Sequence, residues 1–172
     1  MKDTQIAHLE SQRISLMNKL NNLAPEKLIF SEGEAQWSII NVIEHIVLSE
    51  ELSINYALTK IRDWDKLKKV KFTSSIKVLI LRLVLKMNWK YKAPSAAKPV
   101  LDKTSLTELN ERWEATRVQL YNLSSASPDV LSMGILRHPS VGIMNFNQML
   151  QFFEAHFEHH IIQINKLVER KS

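Results

Sequence analysis

An all-α four-helix bundle with a short inserted basic helix is the fold this chain predicts, and three observations predict it. Only three Gly and five Pro interrupt 172 residues. Apolar residues recur at helical spacing through four long stretches, whereas the strict alternation of a half-buried strand is nearly absent. No repeat or low-complexity tract divides the sequence, so one domain over 1–172 is expected, large enough to bury a core without disulfides.

The first helix is expected over residues 4–22, where Ile6, Leu9, Ile14, Leu16, Met17 and Leu20 supply apolar positions before Asn-Asn-Leu-Ala-Pro25 ends it. A loop through Gly33 follows. Ser38 is a suitable N-cap for a second helix over 38–64 that presents Val42, His45, Ile46, Leu52 and Tyr56 inward. A third, shorter helix over 75–89 repeats Arg82, Lys86 and Lys90 every four residues as a cationic strip, its remaining circumference apolar. Residues 93–99 read as an extended connector, because Pro94 and Pro99 disfavour helix at the residues before them. The fourth long helix is expected over 105–123, with Leu106, Leu109, Trp113, Val118 and Leu120. Residues 124–140, with Pro128, Gly134 and His138-Pro139, form a loop, and the last helix starts near Asn145.

Within that last helix, His156 and His160 stand four residues apart. A four-residue step rises about 6 Å and turns only about 40°, so both imidazoles share one face and can converge on one ion. The face also carries Met149, Phe153, Ile164 and Leu167, which places the pair inward. Buried imidazoles need hydrogen-bond partners or a cation, and the bare pair is compatible with either. The metalloprotease pattern H-E-x-x-H does not apply: it needs Glu directly after the first His, whereas Glu158 follows His156 by two positions, about 200° around the helix. His159, turned about 100° from His160, is a supporting or surface residue.

Composition narrows the chemistry. There are no cysteines, which removes a thiolate nucleophile, a cysteine-type zinc site and a disulfide framework, and suits a reducing cytoplasm. The polar, amphipathic start of the chain lacks the apolar core of a secretory signal. Residues 76–87 are the longest apolar stretch, but Lys77, Arg82 and Lys86 interrupt them and they fall short of the roughly 20 residues of a membrane span. The net charge of +5 is concentrated: residues 60–92 hold eleven Lys or Arg against two Asp. A solvated face explains the strip most simply. An anionic membrane surface or an acidic cofactor is the alternative, and nucleic acid is disfavoured by the lack of any recognition motif.

His45 is the best third imidazole, since Val42, Ile46 and Leu52 place it on or beside the buried stripe of the second helix. Three neutral histidines at about 2.0–2.1 Å would leave coordination positions open, the pattern of catalytic zinc sites. The segments Trp37-Ser-Ile-Ile-Asn-Val-Ile-Glu-His45-Ile, His138-Pro-Ser-Val-Gly142 and His156-Phe-Glu-His-His160-Ile-Ile-Gln163, in this order and spacing, resemble the DinB/YfiT-like superfamily of bacterial four-helix-bundle metalloenzymes. The resemblance covers nearly the whole chain. It implies a divalent transition metal (Zn, Ni, Fe or Mn) held by His45, His156 and His160.

Relatives with assigned chemistry transfer low-molecular-weight thiols such as bacillithiol, mycothiol or glutathione to electrophiles, isomerise maleylpyruvate, or hydrolyse substrates. The resemblance therefore implies a thiol-dependent S-transferase acting on a small-molecule substrate. A metal-dependent hydrolase and a non-catalytic metal-binding or stress-associated bundle are the alternatives. A homodimer is expected, because relatives pair through helices and apolar surface is available on Ile76 to Met87.

Gln163, one turn beyond His160, is a candidate to orient a ligand imidazole or a bound water. His138 is a candidate to line the mouth of the site and move protons, or else to anchor its loop with Pro139 while Gly142 takes a positive φ. Glu44 points about 100° away from His45 and is expected at the surface. Trp37 and Trp113 are expected to pack as core anchors and His8 to lie at the surface.

Overall fold

The computed structural model describes residues 2–31, 33, 36–87, 97–100 and 104–170. Four long helices form the bundle: α1 (Lys2–Asn21), α3 (Ile39–Ile61), α5 (Leu106–Ser124) and α7 (Phe146–Glu169). Contacts α1·α5, α5·α3, α3·α7 and α7·α1 close the ring. The short α2 (Pro25–Ile29) leans on α3, and α4 (Phe72–Lys86) packs across the outside of α7. A 3-10 turn (Trp64–Lys66), α6 (Pro128–Ser132) and the strands β1 (Leu136–His138) and β2 (Gly142–Met144) complete the described elements. No described helix is long and apolar enough to cross a membrane.

Local chemistry sets the helix starts. Ser38 opens α3 and Asn145 opens α7, each in a capping box whose third helical residue, Asn41 or Gln148, bonds back to the cap. These reciprocal bonds satisfy two backbone N–H groups that a helix start otherwise leaves without partners. Ser105 caps α5 by accepting from Glu108 N–H.

The apolar interior divides into two clusters, one around Leu9, Ile54, Leu120 and Phe153 and one around Leu16, Ile43, Trp113 and Phe157. Each long helix places a polar residue between its contributions to the two: Arg13, Glu50, Arg117 and His156, all buried. Arg117 Nη2 lies 2.9 Å from Glu50 Oε1, and Trp113 Nε1–H donates to Glu50 Oε2 at 2.9 Å. Burial pushes the Glu50 carboxyl up, while Arg117 and Trp113 hold it down. Arg13 donates to Glu10 and to Asn110 Oδ1, tying α1 to α5.

Several details differ from the sequence expectations. The third helix begins at Phe72 and its described part ends at Lys86; residues 88–96, with Trp89, Lys90 and Pro94, lie outside the described residues. Leu52 and Tyr56 are 45% and 39% exposed rather than inward, as are Ile14 and Val118; Glu50, Ile54 and Ala57 take the interior positions on α3. The loop over 124–140 contains α6 and the first strand of a hairpin pairing Leu136 with Met144, Arg137 with Ile143 and His138 with Gly142. Gly142 has the expected positive φ, 89°, at the hairpin turn. Gly134 donates its N–H to Lys68 O at 2.9 Å, and a Cβ there would collide with Ile143.

Candidate metal centre

The bundle brings His45 of α3 against His156 and His160 of α7, all three buried. Nε2 of His156 lies 3.1 Å from Nε2 of His45 and 3.1 Å from Nε2 of His160. Donor atoms from all three rings fall within 4.8 Å of one another. Nitrogens bound at about 2.1 Å around one cation stand roughly 3.0–3.4 Å apart, so the two short edges already have the spacing of a coordinated set.

Neighbours fix which nitrogens carry protons. His45 Nδ1 is 2.7 Å from Ala97 O, and a carbonyl only accepts, so Nδ1 is protonated and the Nε2 lone pair faces the cluster. His160 Nδ1 lies 3.0 Å from Gln163 Oε1, which gives the same tautomer. A proton on His156 Nε2 could bridge to only one neighbour. At least one 3.1 Å approach then has no proton between its two nitrogens, and a cation shared by the ring lone pairs would relieve it. The donor set therefore fits a transition metal that prefers imidazole.

Burial is the main reason these rings stay neutral. It lowers His156 well below the ordinary value, assisted by His160 and His45. Burial likewise takes His160 down to about 3, with His45 adding to the effect and the Gln163 bond opposing it. His45 is lowered by burial against the opposing Ala97 hydrogen bond. Neutral imidazole is the ligating form, so little proton competition stands in the way of a metal at neutral pH.

Aromatic rings enclose the cluster. Phe152, one turn before His156, stacks on it with centroids 5.3 Å apart and planes 27° apart, and half-buried Trp37 stands 5.0 Å from the His45 ring. His138 meets Phe152 edge-on, their ring centroids 4.8 Å apart, and is close enough that its charge would lower the His156 pKa further. Its Nδ1 accepts from Ser140 N–H at 3.2 Å, leaving the proton on Nε2, and burial lowers its pKa. Gln163 touches the triad directly through His160. His159 Nδ1 donates to Leu85 O at 2.9 Å, anchoring α4 to α7. His8 is exposed, 3.8 Å from Glu154.

Glu44 corrects the surface expectation. It is 4% exposed and accepts from Val100 N–H at 3.0 Å and Thr104 Oγ1–H at 3.3 Å. The chain before α5 folds back over that side of α3, so the direction away from His45 is not the direction of solvent. This clamp holds the same segment that offers Ala97 O to His45. Sequence spacing could have identified Phe152, at i−4 from His156; nothing in the sequence marks a backbone carbonyl. Two surface clefts of about 420 and 470 Å³ lie elsewhere, one between α1 and α7 at Ser15 and Asn165, the other where Lys71 meets Gln148.

A helical bundle that carries three convergent histidines on two of its helices defines a class, and the sequence profile of the DinB superfamily matches residues 8–164. The chain belongs to that superfamily. It is similar to the uncharacterized protein YuaE of Bacillus subtilis (strain 168), 23% identical over 158 residues that take in 92% of this chain and 93% of that one.

Proposed function

We propose that the protein is a metal-dependent enzyme that transfers a low-molecular-weight thiol of the glutathione or bacillithiol type to a small electrophile, with His45, His156 and His160 as ligands of a divalent transition metal. The observation that carries the reading is the convergence of three imidazole Nε2 atoms, at least two of them unprotonated, in a chain that has no cysteine of its own. A divalent cation held there lowers the pKa of a thiol or water that it binds.

The chain's own groups perform the remaining tasks. Ala97 O and Gln163 Oε1 keep the protons of His45 and His160 on Nδ1 and so aim Nε2 at the ion. Phe152 and Trp37 keep water from the flanks of the cluster. His138, neutral with its proton on Nε2, offers an N–H hydrogen bond to a substrate or leaving group beside Phe152. The absence of cysteine suits the reducing cytoplasm in which such thiols are abundant.

One observation favours a second reading. The three histidines are only 5–8% exposed and neither cleft is lined by any of them, as suits a metal that staples α3 to α7 without turnover. One experiment separates the readings. Untagged protein is purified without chelators, its metal content is measured beside His45→Ala and His160→Ala, and electrophile consumption is followed with glutathione and with bacillithiol. About one equivalent of metal in the parent only, with thiol-dependent turnover above buffer, supports the transferase. Metal without turnover supports the staple. No metal after reconstitution overturns both.

A further inference from the structure

We propose that the outer face of α4 docks on an anionic lipid bilayer, with the helix lying flat in the headgroup region. The exposed face of this helix is its apolar one. Phe72, Ile76, Leu79, Ile80, Leu83 and Met87 are between 46% and 80% exposed, while Ser74, Val78 and Leu85 point into the protein. At about 100° per residue the six exposed side chains fall within a sector of roughly 100°, opposite the buried face. A continuous stripe of large apolar side chains along a whole helix marks a docking surface, unlike singly scattered exposed residues.

Charge says what occupies it. On the helical wheel Lys77 borders the apolar sector on one side and Arg82 and Lys86 on the other, with Lys71 at the N-terminal end. None of the four pairs with a described acidic residue. No Asp or Glu occurs in the sequence between Asp65 and Asp102. Apolar side chains bordered on both sides by cations form an interfacial helix, in which the apolar residues enter the acyl boundary and the lysines reach the phosphates. The cleft at the start of α4 continues this surface, lined in part by Lys69, Lys71 and Phe72.

A second copy of the chain suits the face poorly. Pairing through α4 was the route to a dimer that its apolar residues suggested, yet it would set cationic flanks against cationic flanks with no acid on the helix itself to separate them. Nucleic acid would accept the lysines and leave the apolar stripe in water. A helix of 15 residues is about 22 Å long, short of a span, so the contact is peripheral.

The test is co-sedimentation of the full chain with vesicles of phosphatidylcholine alone or with about one-third phosphatidylglycerol, at low and high salt. Partition onto the anionic vesicles should be about tenfold or more above that onto neutral ones and should fall with salt. The Leu79→Gln/Leu83→Gln variant should lose most of it, and Lys77→Gln/Lys86→Gln should weaken it by about fivefold per charge removed. All four positions border or face solvent, and circular dichroism verifies that both variants keep their helices. Equal partition onto both vesicle types, no partition onto either, or binding indifferent to both variants overturns the proposal. A dimer in analytical ultracentrifugation that Leu79→Gln/Leu83→Gln dissolves, without vesicle binding by the parent, assigns the face to a second copy and overturns it as well.

Discussion

His45 and His156 are 111 residues apart in the chain, yet their Nε2 atoms stand 3.1 Å from one another. The first is fixed on α3 by the capping box at Ser38 and by Ala97 O, the second on α7 by the capping box at Asn145 and by Phe152. Because the two rings belong to different helices, an ion between them ties the halves of the bundle together, and binding becomes part of folding stability.

Zinc or nickel should therefore raise the melting temperature. A ligand at a thousandfold excess over Kd adds about 4 kcal/mol, or about 8–16 °C for a chain of this size. Differential scanning fluorimetry with and without chelator measures this. His156→Ala should abolish the shift, because His156 Nε2 is the atom common to both 3.1 Å approaches.

The metal-free protein should be acid-labile at unusually mild pH. His160 titrates near 3 when folded, against 6.5 for an unperturbed imidazole, and His156 is also well below the ordinary value. Above pH 6.5 folded and unfolded forms are both neutral and neither ring affects stability. Below it the unfolded chain takes up protons that the folded rings refuse, so stability falls as pH drops from about 6.5 towards 3, by up to about 1.4 kcal/mol per unit for each ring. Urea midpoints between pH 7.5 and 5 test this, and His160→Gln should flatten the curve.

What was legible in the sequence follows from what periodicity can encode. The four long helices and the His156–His160 pair rest on 3.6-residue spacing, which the chain displays openly. Leu52 and Tyr56 were misplaced because Glu50 occupies an interior position, and a charged residue interrupts the stripe from which the inward face is read. The hairpin has three residues per strand, too few to show alternation. The Glu44 clamp depends on where the chain before α5 folds back, a tertiary fact without a local signature.

That clamp makes its own prediction. Glu44→Ala should free Val100 N–H and the Thr104 hydroxyl, loosen the segment bearing Ala97 O, and so release the His45 ring from its tautomer and orientation. Loss of such support typically lowers metal affinity 10–100-fold, by about the amount expected for Gln163→Leu at the other ring. Chelator competition reads the affinity. Glu44→Gln, whose carbonyl still accepts from Val100, should recover most of it.

The Glu50–Arg117 pair carries the opposite pH sign. Burial raises the Glu50 carboxyl and Arg117 opposes that rise, so Arg117→Met leaves a carboxyl that prefers its proton. A folded value above the unfolded 4.5 gives stability that is complete at acid pH and is lost as pH rises through the folded value, the reverse of the histidines. Glu50→Gln strands the other partner. Among the described residues Arg117 Nε and Nη1 already lack hydrogen-bond partners, and an uncompensated buried guanidinium costs about 3–5 kcal/mol. In Glu50→Gln/Arg117→Met, the glutamine carbonyl can still accept from Trp113 Nε1–H while Met fills the arginine's volume. The double variant should then be more stable at neutral pH than either single one, and urea denaturation of all three at two pH values measures the coupling.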